Sequence, residues 1–140
     1  MNVGIITRSN IACLLIVASL IVRVEPSMAS SVDGTWIIRD LVLNIYDCEA
    51  KVCGRIVWIR DPARRPSQCG MIIVWGLEAT SPNEWTGGSI LDPDDNKTYR
   101  LSAMFETDGT LHARVFRGTP LFGETEILRR IDLHSLDGLC

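Results

Sequence analysis

The sequence predicts an all-β fold, a small up-and-down antiparallel β-barrel of about eight strands. Three observations carry this reading. From Asp33 onward no stretch of useful length has a helical period. The apolar residues instead alternate with polar ones, or form short runs broken by Gly, Pro, Asn and Asp. Those runs recur roughly every dozen residues with short turns between them, the spacing of an antiparallel meander. Closing such a meander on itself removes the exposed edges that an open sheet would leave. A two-sheet sandwich is the alternative topology. An immunoglobulin arrangement is disfavoured, because Cys48 and Cys53 lie too close in sequence to staple two sheets across a core.

The N-terminus gives an address. Met1 to Asn10 carries one cation, Arg8, the run from Ile11 to Val22 is unbroken and apolar, and Ser27-Met28-Ala29 offers small residues where a signal peptidase reads. The apolar run is about a dozen residues, short of the roughly 20 a membrane-spanning helix needs. Residues 1–29 are therefore expected to be a signal peptide and 30–140 a single barrel domain, soluble, not membrane-spanning, and periplasmic or secreted. Removal of that segment takes Arg8, Arg23 and Glu25 and moves the formal charge from −3 to −4. The basic pairs Arg64-Arg65 and Arg129-Arg130 are isolated, so no nucleic-acid or anionic-membrane surface is indicated.

Strands are expected near Gly34 to Arg39, Val42 to Tyr46, Cys53 to Ile59, Met71 to Leu77, Glu84 to Ile90, Thr98 to Phe105, Leu111 to Arg117 and Gly123 to Arg130. The clearest is the sixth, in which Tyr99, Leu101, Ala103 and Phe105 share one face. Asp108-Gly109 then marks a hairpin turn, and the seventh strand sets Leu111, Ala113 and Val115 against His112, Arg114 and Phe116. Between the third and fourth strands, Asp61 to Gln68 carries two prolines and two arginines and reads as an exposed, semi-rigid tip.

Four cysteines lie beyond the export segment, and outside the cytoplasm they are read first as disulfides. A bridge between Cys48 and Cys53 is favoured, because a turn between adjacent antiparallel strands brings such neighbours into range. The pairing of Cys69 and Cys140 stays open, since a residue at a chain end frays. Zinc is the functional rival, but Cys-x4-Cys without a second pair is poor ligand spacing.

In a closed barrel the first and last strands are neighbours. Trp36, at the start of the first, then meets the Arg129-Arg130 pair that ends the last, and one arginine can stack over the indole. Lipocalins have a similar Gly-x-Trp and arginine arrangement. The chain further resembles the domain of unknown function 2147 family, short exported bacterial proteins. The resemblance rests on Gly34-x-Trp36, on Cys48 with Cys53-Gly54-Arg55-Ile56-Val57-Trp58, on Trp85-Thr86-Gly87-Gly88, on Asp92-Pro93 with Lys97-Thr98-Tyr99, and on Gly118 to Gly123 with Arg130. It implies a lipocalin-like barrel and an envelope location, makes Arg130 the residue over the ring, and transfers no catalytic residue. Where members have an aromatic residue before the terminal basic position, this chain has Leu128 two residues ahead of Arg130.

No motif selects a chemistry. Gly118 to Thr125 matches a phosphate-binding loop except at its lysine, which is Glu124, and no helix follows; it reads as a turn. Asp92 to Asn96 begins like a calcium loop, but Lys97 and Ala103 replace the required glycine and closing glutamate, so it reads as a solvated hairpin tip. Asn96-Lys97-Thr98 matches a glycosylation acceptor, which the bacterial resemblance makes a chance tripeptide. Two histidines, His112 and His134, stand beside no nucleophile motif. No catalytic, metal or cofactor residue is assigned, and the protein is expected not to be an enzyme. The aromatic residues Trp58, Trp75, Trp85, Tyr99 and Phe116 are expected to line a ligand site or the core, because eight-stranded barrels either fill their interior or hold one small ligand. The expected function is a non-catalytic binding module for a small apolar or amphipathic ligand. The alternative is an envelope interaction or structural protein with a filled barrel and an envelope protein as partner.

Overall fold

The computed structural model describes residues 32–140; the segment read as a signal peptide lies outside the described residues. The elements run β1 (Gly34–Ile38), β2 (Leu41–Cys48), β3 (Lys51–Ile59), α1 (Arg65–Gln68), β4 (Ile72–Ser81), β5 (Glu84–Asp92), β6 (Lys97–Phe105), β7 (Leu111–Phe116) and β8 (Glu124–Arg130), with single 3-10 turns at Pro120–Phe122 and Leu133–Ser135. Each strand pairs antiparallel with the next, and β1 pairs with β8 through Trp36 opposite Arg130 and Ile37 opposite Arg129, which closes the barrel. The turns after β1, β3, β5 and β7 form one end, the mouth. Those after β2, β4 and β6 form the base.

Large inward side chains collect at the base. Trp36 is fully buried, donates its indole N–H to the Val32 carbonyl at 2.8 Å, and meets Phe105 edge-on with ring centroids 6.1 Å apart. The Arg130 guanidinium lies 4.3 Å from the Trp36 ring centroid and donates to the Asp33 carbonyl at 2.9 Å. Above them Ile45, Val52, Trp85, Leu101, Leu111 and Leu128 fill the lower half, each 6% exposed or less. Burying each such aliphatic side chain contributes about 1.5 to 3 kcal/mol. The space left among them is an apolar void of about 60 Å³.

Closure at this small circumference needs local coiling, which bulges supply. Between β5 and β6 the register shifts by one residue between Trp85 opposite Ala103 and Gly88 opposite Leu101, and Gly87 in the shifted stretch has a φ of 74°, a conformation that glycine adopts without a Cβ penalty. Between β4 and β5 the shift falls between Ala79 and Ser81. In β3 the partner of Val42 is Trp58 and that of Leu43 is Ile56, so Val57 is the extra residue of a bulge.

The β2–β3 hairpin turns on Glu49 and Ala50, both with positive φ (52° and 64°). Two such residues in succession are the geometry for which Asn-Gly is preferred. The Cys48–Cys53 disulfide spans this turn with Cα atoms 5.9 Å apart. It joins a diagonal pair, since Cys48 faces Lys51 and Cys53 faces Tyr46. Replacing both cysteines with serine is expected to cost about 2 kcal/mol in urea unfolding, and Ala50→Gly in that background to return about 1 kcal/mol by relieving the left-handed backbone. Unchanged stability in the double serine variant would remove the bridge from the account of this turn.

Beyond β8 the chain does not fray. Ile131 continues the pairing onto Thr35, the Asp137 carbonyl accepts from the Trp58 indole at 2.8 Å, and the Cys140 amide donates to the carbonyl of the bulged Val57 at 2.9 Å. A second disulfide, Cys69–Cys140, ties this strap to the residue that caps α1. The Asp61 to Gln68 loop is exposed at Asp61, Pro62, Ala63, Pro66 and Ser67 but tied to the barrel at Arg64 and Gln68. Gln68 is buried, donating to Asp94 Oδ1 and the Pro93 carbonyl at 3.0 and 3.3 Å, and Arg64 is held from both sides.

Candidate binding site

Above the filled base the barrel opens into a cavity of about 620 Å³, within the roughly 300 to 1,000 Å³ of small-molecule sites. The position of the space follows from where the sequence puts its bulk. Inward positions near the base carry Trp36, Trp85 and Phe105, whereas those toward the mouth carry Leu43, Ile73, Ile90 and Val115, which leave the centre open. Tyr99 completes the wall, and Phe116, at the end of β7, borders it.

The rim is a ring of charged ties between neighbouring turns. Arg39, in the β1–β2 turn, pairs with Glu126 of β8. Arg64, in the β3–β4 loop, pairs with Asp40 of the β1–β2 turn on one side and, at 3.1 Å, with Asp94 of the β5–β6 loop on the other. Arg117 lies over Tyr99, 4.6 Å from the ring centroid, and links β7 to β6. The β5–β6 loop directs its own carboxylates inward to the chain: Asp92 accepts the Asp94 N–H and Asp95 the Lys97 N–H, each at 2.9 Å. Asp95 also pairs with Lys97; some desolvation works against ionisation, but the bonds from Lys97 and Tyr99 hold its carboxyl below the usual range.

Opposite Arg64, the β7–β8 loop stands over the mouth. Arg114 fixes it by donating to the Pro120 and Leu121 carbonyls at 2.9 and 3.2 Å, and the Thr119 hydroxyl accepts the Leu121 N–H. Gly123 lets the loop lie flat on β7, since a Cβ there would sit 2.5 Å from the Val115 carbonyl and 2.8 Å from Phe116 Cβ. Phe116 points outward by alternation yet is buried, because this loop and the Arg100 guanidinium cover it. The loop presents Leu121 and Phe122 almost fully to solvent, 78% and 81% exposed, and Phe122 borders the cavity.

The aromatic residues separate into three places. Tyr99 and Phe116 are at the cavity and Trp85 is in the lower core. Trp58 and Trp75, expected in a ligand site or core, stand on the outer wall. The bulge at Val57 inverts the alternation of β3 and turns Trp58 out beneath the C-terminal strap. Trp75 follows the buried Val74, points away from the core and is 38% exposed. His112 is also outside, with Nδ1 3.6 Å from Glu106 of the same hairpin. The carboxylates held low by strong local bonds, Asp108 by Thr110 and Glu78 by Lys51, do not border the cavity. Sequence reasoning missed Leu43, Ile73, Ile90 and Phe122. Only the last carries a local signal, an aromatic residue in a Pro- and Gly-bounded turn.

The structure of protein HP1028 from the human pathogen Helicobacter pylori, described as belonging to the lipocalin family, superposes with a TM-score of 0.63 at 13% sequence identity, over 75% of this chain and 86% of that one. The likeness is one of fold. Among curated proteins none matches this sequence. The profile of the family described as uncharacterized protein conserved in bacteria, DUF2147, matches residues 34–130, from the first residue of β1 to the arginine that covers Trp36. With the closed eight-stranded barrel and that span of sequence in agreement, the chain belongs to the DUF2147 family and has a lipocalin-like fold.

Proposed function

We propose that the protein is an exported, non-catalytic binding module that takes a small apolar or amphipathic ligand in the mouth of its barrel. The observation that carries this reading is the cavity of about 620 Å³ above a filled base, walled by aliphatic residues such as Leu43, Ile73, Ile90 and Val115 beneath a charged rim and open beside the exposed Phe122. An apolar tail entering it would displace water from Leu43, Ile90 and Val115 and cover Phe122, at about 25 cal/mol per Å² of apolar surface removed from water. Two disulfides in so short a chain and membership of a bacterial family support export.

Native mass spectrometry of protein recovered from the periplasm or medium tests both parts. The expected species is a chain starting near Ser30 with both bridges formed and a retained small molecule of discrete mass. Ile90→Trp, which puts an indole into the cavity, is expected to lower retention at least about tenfold while circular dichroism stays unchanged. Full occupancy in that variant would locate the ligand elsewhere. A chain that keeps residues 1–29 would overturn export.

A further inference from the structure

The charges at the mouth distinguish between classes of amphiphile. Three guanidiniums and five carboxylates border the cavity. Two of the three cations are paired, Arg39 with Glu126 and Arg64 with Asp40 and Asp94, while Arg117 rests on the face of Tyr99 with no carboxylate within salt-bridge distance among the described residues. Two of the five carboxylates, Asp92 and Glu124, have no cationic partner within salt-bridge distance among the described residues. Asp92 satisfies one oxygen with the Asp94 N–H, and Glu124 opens β8 in an exposed position. The charge left uncompensated around an apolar cavity is therefore negative. An anionic head would meet one guanidinium without a carboxylate partner, Arg117, whose in-plane N–H groups stay available while its face rests on Tyr99, and would lie beside two unpaired carboxylates, Asp92 and Glu124. A cationic head meets both carboxylates with no existing pair broken.

We infer that the cavity prefers a single-tailed amphiphile with a cationic head, such as an alkylamine or an alkyl quaternary ammonium, with the tail on Leu43, Ile90 and Val115 and the head between Asp92 and Glu124. The inference rests on the binding-module reading above and narrows its ligand. Electrostatic complementarity of this kind sets specificity between partners more than it sets affinity, and at an open rim it weakens with salt as the screening length contracts.

The test compares three decyl compounds by titration calorimetry below their micelle concentrations: decyltrimethylammonium, decyl sulfate and uncharged decyl maltoside. At low ionic strength the ammonium is expected to bind about tenfold more tightly than the sulfate, and the ratio to shrink at high salt. The Asp92→Asn, Glu124→Gln double variant is expected to bring the ratio near one; decyl maltoside binding by that variant shows that the barrel remains formed. Equal or reversed affinities in the parent protein, a ratio indifferent to salt, or a preference that survives the double substitution would each overturn the inference and leave the cavity as a binding site. Failure of all three compounds to bind would instead overturn the binding-module reading on which it rests.

Discussion

Replacing Cys69 and Cys140 with serine is expected to lower the stability of the protein by about 4 kcal/mol. The two residues are 71 apart in sequence, and in the chain-entropy account a cross-link constrains the unfolded chain more the longer the loop it closes. The bridge also carries local consequences in the folded state. Cys140 donates to the carbonyl of Val57, the bulged residue of β3, which the bulge leaves without a ladder partner. The strap that delivers it also covers Trp58 through Asp137, and at Gly138 it passes so near the Arg65 side chain that a Cβ would collide with it. At its other end, Cys69 caps α1, whose neighbours Arg64 and Gln68 tie the rim to Asp40 and Asp94. Release of the bridge is therefore expected to loosen both the strap and one side of the cavity mouth. Urea unfolding reports the stability change. Hydrogen exchange should show lost protection confined to residues 132–140 and to the β3–β4 loop, with β6 and β7 unaffected. A loss under about 1 kcal/mol, or protection unchanged in the strap, would mean that its hydrogen bonds suffice without the bridge.

Trp36→Ala is expected to cost about 3 to 5 kcal/mol, the range for truncating a buried aromatic side chain. Three separate contacts converge on this ring: the hydrogen bond to the Val32 carbonyl, the edge-on packing with Phe105, and the guanidinium of Arg130 above it. Truncation leaves a cavity at the seam where β1 and β8 close the barrel, a seam with two register pairs, Trp36 opposite Arg130 and Ile37 opposite Arg129, extended by the Ile131 amide on the Thr35 carbonyl. Arg130→Ala should cost less, about 1 to 3 kcal/mol, because the stem packing and the cation over the ring are lost while the core stays filled. Arg129, opposite Ile37 and exposed, should change stability by less than about 0.5 kcal/mol when truncated. The measurements are urea unfolding of the three variants, and the emission of a variant that keeps Trp36 as its single tryptophan, which should shift with Arg130→Ala. Equal losses from Arg129→Ala and Arg130→Ala would remove the stacked arginine from the explanation of closure.

The eight strands, their order and the direction of most side chains can be read from the sequence. These features depend on local regularities: a two-residue alternation between faces, and turn residues such as Asp108-Gly109 that interrupt it. The same regularities account for what the sequence misplaces. Alternation holds only while the register is unbroken. A single bulged residue, Val57, therefore reverses Trp58 to the outer wall, and Gly87, in the shifted stretch between β5 and β6, does not say in advance where the strand will slip. The partner of Cys69 could not be chosen from spacing, because it depends on the path of a ten-residue strap up the outside of the barrel, fixed by Trp58, Val57 and Arg65 only after the strands have closed. The cavity is likewise a tertiary fact. Residues along the chain reveal which side chains face inward, but whether they meet at the axis depends on which large ones share a level. Here Trp36, Trp85 and Phe105 gather at the base and leave aliphatic residues at the mouth too short to reach across.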